Sequence, residues 1–118
     1  MSATLLSTDL LGMSKITGAA QRAGCPLAVA TSAGDLIARL TAAPARVVVI
    51  DLSTTRGDLA TLVSQLRALP EPPAAVLAFG PHVHEERLQS ARDAGCDAVL
   101  SRGQFHAKAD AIFGQYAD

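Results

Sequence analysis

Aromatic residues and lysines are scarce in this sequence. Its 118 residues include no Trp, one Tyr and three Phe, too few to build stacking platforms for bases or sugars. Lys15 and Lys108 are the only lysines, and the formal net charge is -1, whereas nucleic-acid binding requires clustered basic side chains that displace counterions. The composition therefore predicts that the chain does not bind nucleic acid.

Long apolar runs and paired cysteines are missing as well. No segment approaches the roughly 20 apolar residues that a membrane-spanning helix needs, and no basic segment followed by an apolar one indicates a secretory signal. Cys25 and Cys96 lie far apart, with neither a neighbouring His nor a second Cys pair, so they indicate small core residues rather than a metal or redox site. We expect a cytoplasmic protein that makes no contact with a membrane.

The sequence also lacks the fingerprints of common enzymes. The segment STDLLGMSK contains one glycine, whereas a dinucleotide-binding turn needs several for the close approach of a pyrophosphate. There is no GxSxG motif, and no cysteine follows a predicted strand beside a candidate base. We therefore expect no enzymatic activity and no tightly bound cofactor.

Short apolar runs alternate with segments of helical periodicity along the whole chain. The runs predict five strands: ATLLS (3–7), PLAVA (26–30), VVVID ending at Asp51, AAVLAF (74–79) and DAVLS (97–101). Between and after them, apolar residues recur at the spacing of amphipathic helices. Ser32 and Asp58 are suited to cap helices at the N-terminus, and Gly24 and Gly95 to end them.

Five βα repeats predict a parallel sheet covered by helices on both faces, because parallel neighbours need a crossover that is usually helical and right-handed. We expect residues 1–118 to form one α/β domain. In open sheets of this type, binding sites lie beyond the carboxyl ends of the strands. Asp51 ends the third strand and Asp9 follows the first, so both are predicted to lie at that edge.

Two segments, TSAGDLIARLTAAPARVVVIDLSTTRGDLATLVSQLR (31–67) and ARDAGCDAVLSR (91–102), resemble the CheY-like receiver domain of two-component response regulators. The resemblance extends along the whole chain in element order and length. It implies a flavodoxin-like (βα)5 three-layer sandwich with a five-stranded parallel sheet in the strand order 2-1-3-4-5. It also implies a phosphoaccepting aspartate, an acidic pair that binds Mg²⁺, a hydroxyl residue after the fourth strand and a lysine after the fifth.

The resemblance assigns only part of that site to matching residues. Asp51 takes the phosphoacceptor position and Asp9 matches the second acidic residue, but Thr8 stands where the first acidic residue is expected. Gly80 replaces the hydroxyl residue, and Arg102 replaces the lysine. By the same comparison, the chain matches the scaffold of the family better than its site.

Each replacement has a predictable chemical effect. Thr8 removes a carboxylate ligand, which weakens Mg²⁺ binding, so at most weak Mg²⁺ binding at Asp9 and Asp51 is expected. Gly80 cannot donate a hydrogen bond to a phosphoryl oxygen, and Val99 stands at the position of the switch aromatic. Gly103 replaces the proline that usually follows the lysine. We therefore predict a degenerate receiver that acts through protein association, without ordinary phosphotransfer.

Three alternatives remain open at this point. Asp51 can be phosphorylated in an atypical pocket; guanidinium pairs with phosphate as ammonium does. Asp51 can instead form a standing ion pair with Arg102 or be merely solvated. Finally, Asp9 and Asp51 together with His82 and His84 of the segment FGPHVHEER would provide ligands for a transition metal, although a polar loop before a helix explains the same histidines.

The expected partner is another protein or a second copy of the chain. In receiver-like domains the fourth helix, fifth strand and fifth helix commonly form the binding face, which by resemblance corresponds to about residues 83–117 here. His106 falls in this region, and the sequence assigns it no partner.

Overall fold

The structure is a computed structural model, and it describes residues 2–117. Its strands are β1 (Ala3–Leu6), β2 (Leu27–Ala30), β3 (Val47–Asp51), β4 (Ala75–Gly80) and β5 (Ala98–Ser101). Its helices are α1 (Leu10–Arg22), α2 (Ala33–Ala42), α3 (Leu59–Arg67), α4 (Glu85–Asp93) and α5 (Arg102–Tyr116). Every predicted element is confirmed, with boundaries that shift by one or two residues.

The five strands form one parallel sheet in the order β2-β1-β3-β4-β5, which confirms the predicted flavodoxin-like fold. The register places Leu6 beside Ala30 on one neighbour and beside Ile50 on the other. The ends of β1, β2 and β3 are therefore level, and the loops that follow them share one edge of the sheet.

Alternating side chains of the central strands divide the core between the two faces of the sheet. Val48, Ile50 and Val76 pack under α2, α3 and α4 with leucines of those helices. Val47, Val49 and Leu77 pack on the other face under α1 and α5. Since β3 is buried along its whole length, its continuous apolar run is explained by coverage on both faces.

Aromatic side chains are concentrated on the α5 face. Phe79 of β4 stacks on Phe105 of α5, with ring centroids 4.5 Å apart and planes 9° from parallel. Phe113, about two helical turns further along, meets Phe105 edge-on at 6.4 Å. The three phenylalanines thus pack α5 against this face of the sheet, and the Phe79–Phe105 stack lies at the carboxyl end of β4, where Phe79 is the register partner of Asp51.

The helix boundaries follow the predicted capping residues. The Ser32 side chain accepts a hydrogen bond from the Asp35 N–H, and Asp58 accepts one from Ala60. Gly24 and Gly95 adopt φ values of 70° and 94° just after α1 and α4, a conformation that glycine adopts without steric cost. These caps set where each helix starts or stops relative to the sheet edge.

The structure also bears on the predictions made for the two cysteines and for membrane-spanning helices. Cys25 and Cys96 are unbridged thiols, and burial raises the pKa of both, as expected for core residues with low reactivity. Among residues 2–117, no helix has the length and hydropathy needed to span a bilayer.

Candidate functional site

Asp51 is the most deeply buried charged residue at the carboxyl edge of the sheet. It is the last residue of β3, and only 2% of its surface is exposed. A carboxylate in this position must be satisfied by hydrogen bonds or charges, because burial of an unpaired carboxylate is costly.

Three hydrogen bonds satisfy the Asp51 carboxylate. Oδ1 accepts from the Ser53 N–H at 3.0 Å and from the Ser53 hydroxyl at 2.7 Å. Oδ2 accepts from the Ser7 hydroxyl at 2.8 Å. Ser7, directly after β1, is itself 2% exposed. Both carboxylate oxygens are therefore already engaged by side chains of the chain itself.

Arg102 is linked to the Asp51 carboxylate through the Ser53 hydroxyl. Its guanidinium donates to the Ser53 hydroxyl at 3.0 Å, and that hydroxyl in turn donates to Asp51. The direct Asp51–Arg102 ion pair considered from the sequence is wrong: among residues 2–117 the salt bridges of 4.0 Å or less do not include it. Ser53 lies between the guanidinium and the carboxylate, and its hydroxyl is hydrogen-bonded to both.

A cleft of about 220 Å³ opens above Asp51. We call it the Asp51 cleft and define it by the charged and titratable side chains that line it: Asp9, Lys15, Asp51, Arg102 and His106. Two carboxylates thus face three basic groups. The sequence analysis did not anticipate that Lys15 of α1 or His106 of α5 would take part.

The cleft environment shifts the ionisation of His106. Burial lowers its pKa below the ordinary value of 6.5, and the nearby Lys15 and Arg102 lower it further, against the opposing pull of Asp51 and Asp9. The ring lies edge-on to Phe79 and Phe105, with centroids at 6.2 and 5.8 Å. The imidazole is therefore held mainly neutral at the wall of the cleft.

The predicted acidic pair is only partly assembled. Asp9 lines the Asp51 cleft, where it is the N-cap residue of α1, with no capping hydrogen bond from its side chain. Thr8 is exposed and lines a separate cavity; its N–H donates to Thr54 Oγ1 at 3.2 Å. The side chain that reaches Asp51 from the end of β1 is that of Ser7, the residue directly after the strand.

Gly80 ends β4 in a buried position. A Cβ atom built there would lie 3.2 Å from Cβ of Leu52 and 3.8 Å from Cδ2 of Leu88. Leu52 therefore fills the space beside this glycine. Val99 of β5 is half-buried and packs against the core cluster on the α2, α3 and α4 face, so the position of the switch aromatic is occupied by an aliphatic core contact.

His82 and His84 do not join the acidic residues. Neither histidine lines the Asp51 cleft. His84 is the N-cap residue of α4, where its N–H donates to the Pro81 carbonyl at 2.9 Å. Within the described part of the chain, no group of three or more His, Cys, Asp or Glu could hold a metal ion. The transition-metal site considered from the sequence is therefore not assembled, and the loop-and-helix explanation of these histidines fits better.

Sequence reasoning missed Ser7, Ser53, Lys15 and His106. Ser7 carried a signal, because it ends a predicted strand at the edge where Asp51 was expected. Ser53 follows Asp51 by two residues, the spacing of an Asx turn, in which an aspartate accepts from the backbone N–H two residues on. Lys15 and His106 gave no local signal, since only the packing of α1 and α5 against the sheet brings them to the cleft.

The chain has the receiver fold seen in response regulators. It is similar to a response regulator from Hahella chejuensis, with a TM-score of 0.81 and 14% identity over 98% of this chain and 95% of that one. It is equally similar in fold to the receiver domain of a sensor histidine kinase from Pseudomonas aeruginosa PAO1, with a TM-score of 0.81 and 11% identity over 98% and 95% of the two chains.

Another structural relative is an atypical orphan response regulator described as having a phosphorylation-independent regulatory mechanism. Its TM-score is 0.72, with 16% identity over 98% of this chain and 97% of that one. The Pseudomonas receiver domain, by contrast, was solved with a magnesium ion coordinated in its active-site cleft. The sequence matches no protein-family profile and no curated protein. At these identities the likeness establishes the fold.

Proposed function

We propose that this chain is a degenerate receiver module that works by association with another protein, without phosphotransfer and without enzymatic activity. One observation carries the proposal: both oxygens of the Asp51 carboxylate are already bonded within the chain, by Ser7 and Ser53. Three of the roughly four acceptor sites of the carboxylate are thus occupied by groups of the chain, which lowers its reactivity toward phosphorus.

The surrounding residues support the same conclusion. Phosphoryl transfer depends on cations that neutralise the charge developing on the transferred group. Arg102 is engaged with Ser53, and Gly80 provides no hydroxyl where a phosphoryl oxygen would arrive. The hydrogen bonds that join Asp51, Ser53 and Arg102 instead favour a single conformation of the loops at the carboxyl edge of the sheet.

Mg²⁺ fits the Asp51 cleft poorly. This ion prefers six oxygen ligands in near-octahedral geometry and is usually held by carboxylates and phosphate oxygens. The cleft offers Asp9 and Asp51, but Lys15 and Arg102 line it too, and like charges oppose a cation. We therefore keep only weak Mg²⁺ binding at the two aspartates as part of the proposal, and no functional step depends on it.

Two structural relatives are described in different terms. One of them is described as regulated independently of phosphorylation, and another coordinates magnesium. The contacts of Asp51 in this chain favour the first mode.

The binding surface that we propose is formed by residues 83–117. Val83, before α4, is 72% exposed, and β5 is an edge strand with half-buried residues. A groove of about 330 Å³ runs along this edge between β5 and α5, with Leu100, Ile112 and Tyr116 in its wall. Apolar side chains at a sheet edge suit a protein partner or a second copy of the chain. A cytoplasmic location stays a prediction from the sequence.

The experiment is intact-mass analysis after incubation with acetyl phosphate or phosphoramidate and Mg²⁺, with the wild type beside Asp51→Asn. We expect no added phosphoryl group on either protein. A covalent phosphoryl group on the wild type that disappears in Asp51→Asn would instead establish the alternative function, an atypical receiver phosphorylated on Asp51. The open cleft with its Lys15 and Arg102 side chains is the observation that keeps that alternative worth testing.

Association is tested separately by the molar mass in solution across a concentration series. Val83→Asp should shift a self-association equilibrium toward monomer if residues 83–117 form the interface. Leu11→Asp is the matched control, since Leu11 is 83% exposed but lies on α1. An equal effect of both variants would contradict the proposed surface.

A further inference from the structure

A second cavity lies on the other side of Asp51, at the ends of β1, β2 and β3. Its volume is about 300 Å³, at the lower end of the range for small-molecule pockets, about 300–1,000 Å³. We call it the hydroxyl cavity, because most of its lining residues carry hydroxyl groups: Ser7, Thr8, Thr31, Ser32, Thr54 and Thr55, together with Leu6, Ala33 and Arg56.

Several of these hydroxyls have a hydrogen left to donate. Ser32 Oγ accepts from the Asp35 N–H at 3.1 Å, and Thr54 Oγ1 accepts from the Thr8 N–H at 3.2 Å. Within residues 2–117, neither hydroxyl is itself a donor to another group. A hydroxyl that accepts one hydrogen bond still carries one donor hydrogen, so both can donate into the cavity.

Thr55 adds an unsatisfied group. Its Oγ1 is buried, and it has no hydrogen-bond partner anywhere in the described part of the chain. Its backbone is well fixed, because its N–H donates to the Asp51 carbonyl at 3.0 Å and its carbonyl accepts from Arg87 at 2.8 Å. A buried hydroxyl without a partner is destabilising, and rotation of the Thr55 side chain toward the cavity would let a ligand oxygen satisfy it.

The charge of the cavity is positive. Arg56 is the only charged residue in its wall, and across residues 2–117 its guanidinium makes no hydrogen bond or ion pair. No carboxylate is among its lining residues, in contrast to the Asp51 cleft. The nearby Asp35 carboxylate accepts from the Thr31 N–H and is paired with Arg39. Hydroxyl donors and one unpaired guanidinium therefore favour an anion.

The position of the cavity matches the general rule for this fold. In open parallel sheets, ligands bind beyond the carboxyl ends of the strands at the point where the strand order reverses. In the order β2-β1-β3-β4-β5, this point lies between β1 and β3, whose loops supply Thr8 and Thr54.

We propose that the hydroxyl cavity binds a small phosphorylated ligand, with the phosphate monoester held by Arg56 and by the hydroxyls of Ser32, Thr54 and Thr55. A phosphate presents three terminal oxygens, which can use this number of converging donors better than a carboxylate, and guanidinium binds phosphate with two parallel hydrogen bonds. A neutral sugar would leave Arg56 unused. The cavity has no aromatic wall, so a stacked base or sugar ring is not favoured.

This site is independent of the proposed receiver function. It would operate whether or not Asp51 accepts a phosphoryl group, since Asp51 does not line it. Ser7 lines the hydroxyl cavity and donates to Asp51, so a ligand that moved Ser7 would change the hydrogen bonding of Asp51.

The experiment is a titration of the ¹⁵N-labelled chain with inorganic phosphate at constant ionic strength, followed by backbone amide shifts. We expect saturable shifts at the amides of the hydroxyl cavity. Acetate and glucose are run in parallel. Arg56→Gln should weaken phosphate binding roughly tenfold or more, as for loss of a charge-assisted hydrogen bond. Arg22→Gln, with the same change of charge on α1, should leave binding unchanged.

Thr55→Val keeps the shape of the side chain but removes the unpartnered hydroxyl. We expect it to weaken phosphate binding roughly fivefold while the thermal midpoint of the free protein stays equal or rises. Shifts confined to the Asp51 cleft, equal binding of acetate or glucose, or unchanged affinity in both Arg56→Gln and Thr55→Val would each overturn the proposal. Failure of the phosphodonor experiment on Asp51 would leave this titration unaffected.

Discussion

The Ser7 hydroxyl donates a 2.8 Å hydrogen bond to Oδ2 of Asp51 across the junction of β1 and β3. The same hydroxyl oxygen accepts from the Asp9 N–H at 3.1 Å. Ser7 thus connects the Asp51 carboxylate to the start of α1 and lies one residue before Thr8, which stands where the first acidic residue of a receiver is expected.

Ser7→Ala should lower the free energy of unfolding by about 1.5–3 kcal/mol, the range for a hydrogen bond to a charged group. The variant leaves Oδ2 of a buried carboxylate without its donor. Urea denaturation at neutral pH measures the change. Ser14→Ala on the exposed side of α1 is the control and should change the same quantity by less than about 0.5 kcal/mol. Equal effects would show that the Ser7 contact contributes nothing.

Gly80→Ala should destabilise the fold by about 1–3 kcal/mol, as overpacking does. The new Cβ would lie 3.2 Å from Cβ of Leu52, so the strand or the β3–α3 loop must shift. A serine placed there to restore the missing hydroxyl would meet the same obstacle. Thermal and urea unfolding both report the loss.

The matched control for Gly80 is Gly34→Ala in α2, where an added Cβ has no neighbour within 4 Å. This change should stabilise the protein by about 0.4–1 kcal/mol by reducing the freedom of the unfolded chain. Stabilisation by both substitutions would contradict the close packing of Leu52 against Gly80.

Asp97 should make stability depend on acid pH. Burial alone would raise its pKa, but the hydrogen bond from the Val76 N–H and the pairing with Arg67 outweigh burial and hold the pKa below the ordinary 3.8. The contacts are 2.7 Å from Val76 N and 2.9 Å from the Arg67 guanidinium. The folded state therefore favours the carboxylate, and its contribution is complete above pH 3.8 and is lost as pH falls through the lower folded pKa.

Asp97→Asn should accordingly cost about 1 kcal/mol at pH 7, a modest value because both charges are solvent-screened. The difference from wild type should shrink below about pH 4, where the wild-type carboxyl begins to be protonated. Unfolding curves at a series of pH values measure it. Asp110→Asn, which breaks an exposed pair with Arg22, should have a smaller effect at pH 7. If Asp97→Asn lowered the free energy of unfolding by the same amount at every pH, the lowered pKa of Asp97 would be contradicted.

The pKa of His106 should depend on the positive charges of Lys15 and Arg102 in the Asp51 cleft. Burial, Lys15 and Arg102 lower its pKa below 6.5, so the folded state favours the neutral ring. Its contribution to stability is present above pH 6.5 and declines as pH falls toward the folded pKa. Lys15→Gln and Arg102→Gln should each raise the pKa of His106, measured from the imidazole NMR shifts. Arg92→Gln on α4 should not. An unchanged His106 titration in both cleft variants would contradict the placement of these side chains.

The elements of the fold were predictable because their signals are local. The apolar run that ends at Asp51, the caps Ser32 and Asp58 and the glycines after α1 and α4 each act through neighbouring residues, so the sequence specifies them directly. The strand order followed from the resemblance of 31–67 and 91–102 to a known domain type. The structure adjusted the limits of these elements by one or two residues.

The contacts of the candidate site were only partly predictable. Asp51 and Asp9 were expected at the sheet edge, and both lie there. The Asp51–Arg102 ion pair was wrong because Ser53 lies between the two side chains, and the histidine cluster was wrong because the turn at Pro81 keeps His82 and His84 away from the Asp51 cleft. Each of these outcomes depends on distances between loops that are far apart in the sequence.

The sequence by itself determined a five-fold βα alternation, the burial of β3 on both faces and the departure of Thr8, Gly80 and Arg102 from the receiver pattern. Only the tertiary structure decided that Ser7 and Ser53 donate hydrogen bonds to both oxygens of the Asp51 carboxylate, that Lys15 and His106 line the same cleft, and that six hydroxyl residues from three loops enclose one cavity. The physical reason is that helix and strand formation depends on local periodicity and capping, whereas hydrogen bonds between loops require the sheet to bring distant strand ends into register.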